Sequence, residues 1–273
     1  MPSLRRPAVV SLVVLPLALA ACGGGSRAAT GTPSTTSAST PAPSSAGAAT
    51  GTSTTAGTTA GTTAAADWGH LAGCPSVGRA VPAGTRTKQT VDVDGDGRPD
   101  TAFIGLAPDS SGGVPFGVRT ASGAVLASTI HSASPVARSV LFADVTGHGE
   151  VVALADDNRQ VQLWAVSDCQ LIPEQNVQGQ QYTFDLGFTG YGTGVGCVDA
   201  NGDGTTDLVG LKYVPEPQGA GTIQRTIVRL TGPQARNGAT DTVVVTRASM
   251  VDEAHSVTCG DRTMAADGVS SNP

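Results

Sequence analysis

Aromatic side chains are scarce in this 273-residue chain, which has two Trp, three Tyr and five Phe. Charged residues make up only 14% of it, and Lys88 and Lys212 are the sole lysines. With basic residues few and dispersed and a formal net charge of −6, the chain has no electrostatic footprint for nucleic acid. Glutamate is limited to Glu150, Glu174, Glu216 and Glu253, so nothing signals the paired carboxylates of a glycosidase. His70, His131, His148 and His255 are scattered. They form no His-Glu-x-x-His zinc motif, and neither a serine elbow nor a Cys-x-x-Cys is present. The run Gly190–Gly196 has the glycine content of a phosphate loop but not the Lys-Ser/Thr that should follow, and it reads as the lead into a strand. Past the N-terminal segment, no stretch approaches the roughly twenty apolar residues of a membrane helix.

The first residues are a targeting segment. Arg5 and Arg6 precede an apolar run, Ala8–Ala21, that ends in Leu19-Ala20-Ala21-Cys22-Gly23. The run is too short to span a bilayer and has the length of a signal h-region. Small residues before a cysteine at this place resemble a bacterial lipobox. That resemblance implies a signal peptide over 1–22, lipid on Cys22, and a protein held on the extracytoplasmic face of the cell membrane. Residues 23–66 are almost entirely Gly, Ser, Thr, Ala and Pro, with Arg27 as the only charge. Such a composition buries too little apolar surface to offset chain entropy, so a disordered tether is expected, roughly 35–40 Å end to end as a coil.

The remainder, 67–273, is long enough for one sizeable core. It carries Cys74, Cys169, Cys197 and Cys259, an even number that in an exported domain reads as two disulfides with three connectivities open. Cys197 and Cys259 each end a short β-like run (Val195-Gly196-Cys197 and Val257-Thr258-Cys259), which favours that pair.

A repeat shows in the acidic loops. Asp92-Val93-Asp94-Gly95-Asp96-Gly97-Arg98-Pro99-Asp100 is matched by Asp199-Ala200-Asn201-Gly202-Asp203-Gly204-Thr205-Thr206-Asp207. A worn copy, Asp144-Val145-Thr146-Gly147-His148-Gly149-Glu150, lies between them. β-like sequence enters and leaves each loop: Thr101–Leu106, Val151–Leu154, Leu208–Val214, Thr226–Leu230 and Thr242–Thr246 are rich in β-branched residues and bounded by turn residues. In Gln160–Val166, Val161, Leu163 and Ala165 alternate with Gln160, Gln162 and Trp164. Helical periodicity over more than two turns is missing, so antiparallel strands are expected. These loops resemble the FG-GAP/VCBS-type repeats of β-propeller proteins, the class that includes the integrin α-subunit head. The resemblance covers about 88–246. It implies an all-β, propeller-like array of three to four antiparallel four-stranded blades, with calcium caged in the loop that joins two strands of a blade. Three repeats are few for a closed ring. A small ring completed by its termini, with a last strand near Ser256–Cys259, is favoured over an open stack or half of a dimeric ring.

The chemistry of the loops agrees with calcium, which takes six to eight oxygen ligands in a flexible arrangement. The expected ligands are Asp92, Asp94, Asp96, Asp100 and the carbonyl of Arg98 in the first loop. In the third they are Asp199, Asn201, Asp203, Asp207 and the carbonyl of Thr205. An EF-hand needs a carboxylate at position twelve and a following helix, but Phe103 and Gly210 stand there within strand-like sequence. The middle loop offers only Asp144 and Glu150 and is expected to keep the turn without the metal.

One segment stands out for contact. Tyr182, Phe184, Phe188 and Tyr191 cluster in an aromatic-poor chain; Tyr182, Phe184 and Leu186 alternate as a strand face would, and that packing is preferred to a binding ledge. The expected function is a non-catalytic binding or adhesion module at the cell envelope, meeting cell-wall polysaccharide or another exported protein. The alternative is an envelope enzyme, or an enzyme accessory domain, that uses the propeller as scaffold.

Overall fold

A computed structural model describes residues 72–272, apart from Val77 and Gln218. Cys22 and the 23–66 tether lie outside the described residues. The described chain is all-β with antiparallel sheets and two short helices.

Three sheets follow one another along the chain, each built as an up-and-down meander. The first holds β1 (Thr85–Gln89), β2 (Thr101–Gly105), β3 (Val114–Arg119) and β4 (Val125–Ile130). The second holds β5 (Ser139–Asp144), β6 (Val151–Asp156), β7 (Gln160–Ser167) and β8 (Gln170–Pro173), with β9 (Thr183–Asp185) paired to the first half of β7. The third holds β10 (Gly194–Val198), β11 (Asp207–Glu216), β12 (Gly219–Thr231) and β13 (Gln234–Val244). Each acidic loop connects the first strand of a sheet to the second, so all three occupy equivalent places.

Period-2 alternation explains how the sheets stack, because successive residues of a strand face opposite sides. In β5, Val140 and Phe142 pack towards the first sheet against Ile104, Phe116 and Leu126, while Leu141 and Ala143 pack towards the third against Val195, Leu208 and Val228. Strands β6 and β7 divide in the same way. The second sheet is therefore covered on both faces, which is why Val151–Leu154 reads as an unbroken apolar run rather than an alternating one. Trp164, on the opposite face from Leu163, meets Phe116 edge to face at a centroid distance of 5.4 Å.

The outer face of the third sheet, with Val209, Leu211 and Ile223, is covered by α1 (Ala248–Ala254) through Ala254, Met250 and Val251. This helix and α2 (Met264–Asp267) are both within two turns, too short for a helical period to register in sequence. Between them lies a small hairpin of β14 (Thr258–Cys259) and β15 (Arg262–Thr263). The segment expected as a last strand holds β14 and runs beside β10, where Val257 bridges Val195 in parallel and Cys197 is bonded to Cys259. The second disulfide is Cys74–Cys169. The chain then returns to the second sheet, where β16 (Val269–Ser270) adds antiparallel to β5. Arg86 and Lys88 of β1 donate to carbonyls of this tail, at Asn272 and at Ala266 and Gly268. No helix among the described residues is long and apolar enough to cross a membrane.

Candidate metal centre

The three acidic loops share a backbone design. The leading aspartate turns its carboxylate back over the loop and accepts from N–H groups at positions four and six. Asp92 receives Gly95 and Gly97 at 2.8 and 2.7 Å, Asp144 receives Gly147 and Gly149 at 2.9 and 2.8 Å, and Asp199 receives Gly202 and Gly204 at 2.7 and 3.0 Å. All six of those glycines have positive φ, between 71° and 93°, a region closed to most side chains. The repeated Gly-x-Gly is thus a requirement of the turn.

The loops differ in what surrounds the turn. In the first, Asp92, Asp94 and Asp100 each place a carboxylate oxygen within 4.8 Å of the other two. Asp94 is fully buried. Its Oδ2 accepts the backbone N–H of Cys74 at 2.7 Å, and its Oδ1 has no hydrogen-bond partner. Asp100 is also buried and accepts Val93 N–H and Ala121 N–H, both at 2.8 Å. Burial pushes the Asp100 carboxyl up to about 6, against the lowering effect of those two donors and with help from the charges of Asp94 and Asp92. Like charges at this spacing repel by on the order of 3 kcal/mol per pair at an effective dielectric of about 20. Asp96 stands outside the triad, its Oδ1 accepting Arg98 N–H at 2.9 Å.

An unpartnered oxygen on a buried carboxylate is a group that native structures avoid unless something satisfies it. Here it belongs to a cluster of oxygen donors alone, with no nitrogen or sulfur ligand, the set preferred by a hard cation. The residues present fit calcium.

The third loop is open. Asp199, Asn201 and Asp203 are exposed and Asp207 is half-buried. Every hydrogen bond made by these four side chains stays inside the loop: Asp207 accepts Ala200 N–H, and Asp203 accepts Thr205 N–H and the Asn201 amide. Those two donors hold the Asp203 carboxyl below the usual range. Among the described residues, the only cluster of three or more acidic, His or Cys side chains with metal-ligand spacing is the one in the first loop. The physical difference is a cover. Gly73 and Cys74 lie across the first loop, Gly73 N–H donating to the Asp94 carbonyl at 2.7 Å, whereas Arg225 and Arg229 supply nearby positive charge to the third.

Glu174 escapes a sequence reading, and the aromatic segment follows the expected strand-face packing only in its first half. Glu174 is buried with neither carboxylate oxygen hydrogen-bonded, and burial together with the Glu150 charge pushes it up to about 7. The aromatic segment also divides: Phe184 is buried and Tyr182 and Leu186 pack half-buried beside it, while Phe188 and Tyr191 project into solvent. Comparison of the chain with protein-family models, with curated proteins and with solved structures finds no match.

Proposed function

We propose that this chain is a calcium-stabilised, non-catalytic binding module of the FG-GAP/VCBS type, carried on the outer face of a membrane by lipid on Cys22. Asp92, Asp94 and Asp100 would hold the ion in the first loop, with Asp96 and the Arg98 carbonyl next to them in sequence. Asp199, Asn201, Asp203, Asp207 and the Thr205 carbonyl would form a second, more open site. When bound, calcium supplies the positive charge that lets three carboxylates share one turn. The observation that carries the reading is the buried, unpartnered Oδ1 of Asp94. Three four-stranded meanders stacked through apolar layers, each with its acidic loop between first and second strands, support blades of a propeller-like array.

The test is thermal unfolding of the purified protein in calcium and in chelator. A ligand bound only by the native state at about a hundredfold its Kd adds about 2.7 kcal/mol, or about 5–10 °C in a domain of this size. Equal melting temperatures in the two conditions would overturn the proposal.

A further inference from the structure

A cleft of about 660 Å³ opens between the second and third sheets. The turn joining β6 to β7 contributes Asp157, Arg159 and Gln160 to its wall. In a meander, successive turns alternate ends, so this wall lies at the opposite end of the second sheet from the acidic loop between β5 and β6. On the other side, β11 and β12 contribute Lys212, Gln224 and Thr226, and the segment after β9 contributes Phe188 and Tyr191.

That segment is built to hold its rings outside. Asp185 accepts three backbone N–H groups, from Thr189 at 2.9 Å, Tyr191 at 2.8 Å and Gly192 at 3.2 Å. Burial would raise its carboxyl, but these donors and the Thr189 side chain prevail and hold it below the usual range. Gly192 is pressed against this carboxylate's own backbone; a Cβ there would come within 2.8 Å of the Asp185 carbonyl. Phe188 is 65% and Tyr191 85% exposed, and the Arg159 guanidinium sits 4.6 Å from the Phe188 ring centre. Folding gains little from two aromatic rings fixed in water, whereas a ligand with an apolar face gains a rigid platform.

The chemistry of the walls narrows the ligand. Of the strands in these walls, β11 is paired on both sides through Gly194↔Leu211 and Leu211↔Arg225, and β12 on its far side through Gln224↔Thr242, whereas β9 pairs only with β7 and β13 closes its sheet. Strand addition, one of the peptide modes, is therefore closed at β11 and β12. Charge does not select an anion either, because Arg159 and Lys212 are balanced by Asp157 and Asp185. Both carboxylates are already engaged: Asp157 accepts Arg159 N–H at 3.0 Å, Gln160 N–H at 2.9 Å and the Ser132 hydroxyl. Beside Arg159 and Lys212, the cleft presents neutral hydrogen-bonding groups next to aromatic faces: the amides of Gln160 and Gln224, the Asn237 amide, whose Oδ1 accepts from the Tyr182 hydroxyl, and the Thr226 hydroxyl, which pairs with Thr240. Such a combination suits a ligand with alternating hydroxyl edges and C–H faces.

We propose that this cleft binds a neutral oligosaccharide chain, with Tyr191 and Phe188 as stacking faces and Gln160, Gln224 and Asn237 as hydrogen-bonding partners. The assignment rests on the reading of the protein as a binding module and names its ligand class. Two neutral sources share the chemistry, glucose-type and N-acetylglucosamine-type chains, so the test is calorimetric titration of the purified full chain with cellohexaose and chitohexaose. An oligogalacturonate of similar length is the acidic arm. Saturable binding of at least one neutral hexasaccharide is expected, weakened roughly tenfold by Tyr191→Ala and also by Phe188→Ala, with melting temperatures unchanged because both rings are exposed. Absence of binding by both neutral chains, stronger binding of the oligogalacturonate, or unchanged affinity in both variants would each overturn it. Melting in calcium and in chelator on the same samples reports the metal reading separately, since the cleft variants leave the acidic loops untouched.

Discussion

The backbone N–H of Cys74 closes on Oδ2 of Asp94 at 2.7 Å, and the side chain of the same cysteine is bonded to Cys169 in the turn between β7 and β8. The buried carboxylate of the first sheet's acidic loop is thus covered by a segment whose position is fixed covalently by the second sheet. The other bridge, Cys197–Cys259, ties β10 to the C-terminal hairpin, and its Cys259 sulfur lies 3.4 Å from the backbone carbonyl of Asp144 in the middle loop rather than over the first loop.

This difference separates the two disulfides functionally. They span 95 and 62 residues, and chain entropy assigns each about 4–5 kcal/mol. Replacing either pair by alanine should therefore lower stability by similar amounts. Only the Cys74→Ala/Cys169→Ala protein should also lose calcium affinity, because its loop cover is released. Melting curves across a calcium titration on both double variants measure the two effects separately. Equal calcium dependence in both would mean that the cover does not organise the site.

Asp94 itself should show a crossover. In chelator, Asp94→Asn removes one of three crowded like charges and keeps an acceptor for Cys74, so the variant should melt no lower than the parent protein. In calcium it should fail to gain the 5–10 °C expected of the parent. Asp203→Ala, in the open loop, should shift melting in chelator by no more than about 0.5 kcal/mol equivalent and diminish the calcium gain only modestly.

The contrast between these loops shows where sequence runs out. Asp, Asn and Gly at fixed spacing dictate a turn locally, and all three turns have the same glycine conformations and the same folded-back aspartate. Whether a carboxylate in the turn is buried depends on Gly73 and Cys74, twenty residues upstream of Asp94, and no local pattern carries that. The pairing of Cys197 with Cys259 is legible in the similar runs that end in them, which lie side by side through Val195 and Val257. Cys74–Cys169 had no such signal. Strand placement was readable because β-branched runs and Gly-Asp turns are local. The alternation in Gln160–Val166 announced a strand but not that both of its faces are buried, a consequence of stacking between two neighbouring sheets.

That double burial can be measured in one strand. Leu141 and Phe142 are adjacent in β5, both fully buried, and point into different apolar layers. Leu141→Ala should cost about 2–5 kcal/mol and Phe142→Ala about 3–5 kcal/mol. Denaturant unfolding would show both losses. A sheet with one wet face would lose stability at only one of the two positions.

Glu174 supplies a pH dependence whose sign follows from its burial. In the unfolded chain its carboxyl titrates near 4.5, and in the fold, with both oxygens unpartnered and Glu150 nearby, near 7. Below about 4.5 the group is neutral in both states, and its contribution to stability is fully present. As pH rises, the unfolded chain ionises first and is favoured, so stability falls through the interval up to about 7 and then levels as the folded form ionises too. A separation of this size corresponds to on the order of 3 kcal/mol. Val151, Val152, Ala165, Val166 and Leu230 line the small cavity beside Glu174 and Glu150, so an ionised Glu174 meets mostly apolar surface there. Glu174→Gln cannot ionise and should flatten this fall, leaving the variant more stable than the parent at pH 8 and little changed at pH 4. Urea unfolding at the two pH values decides it: a parent protein whose stability does not fall between them, or a glutamine variant that falls just as far, would show that Glu174 does not set the dependence.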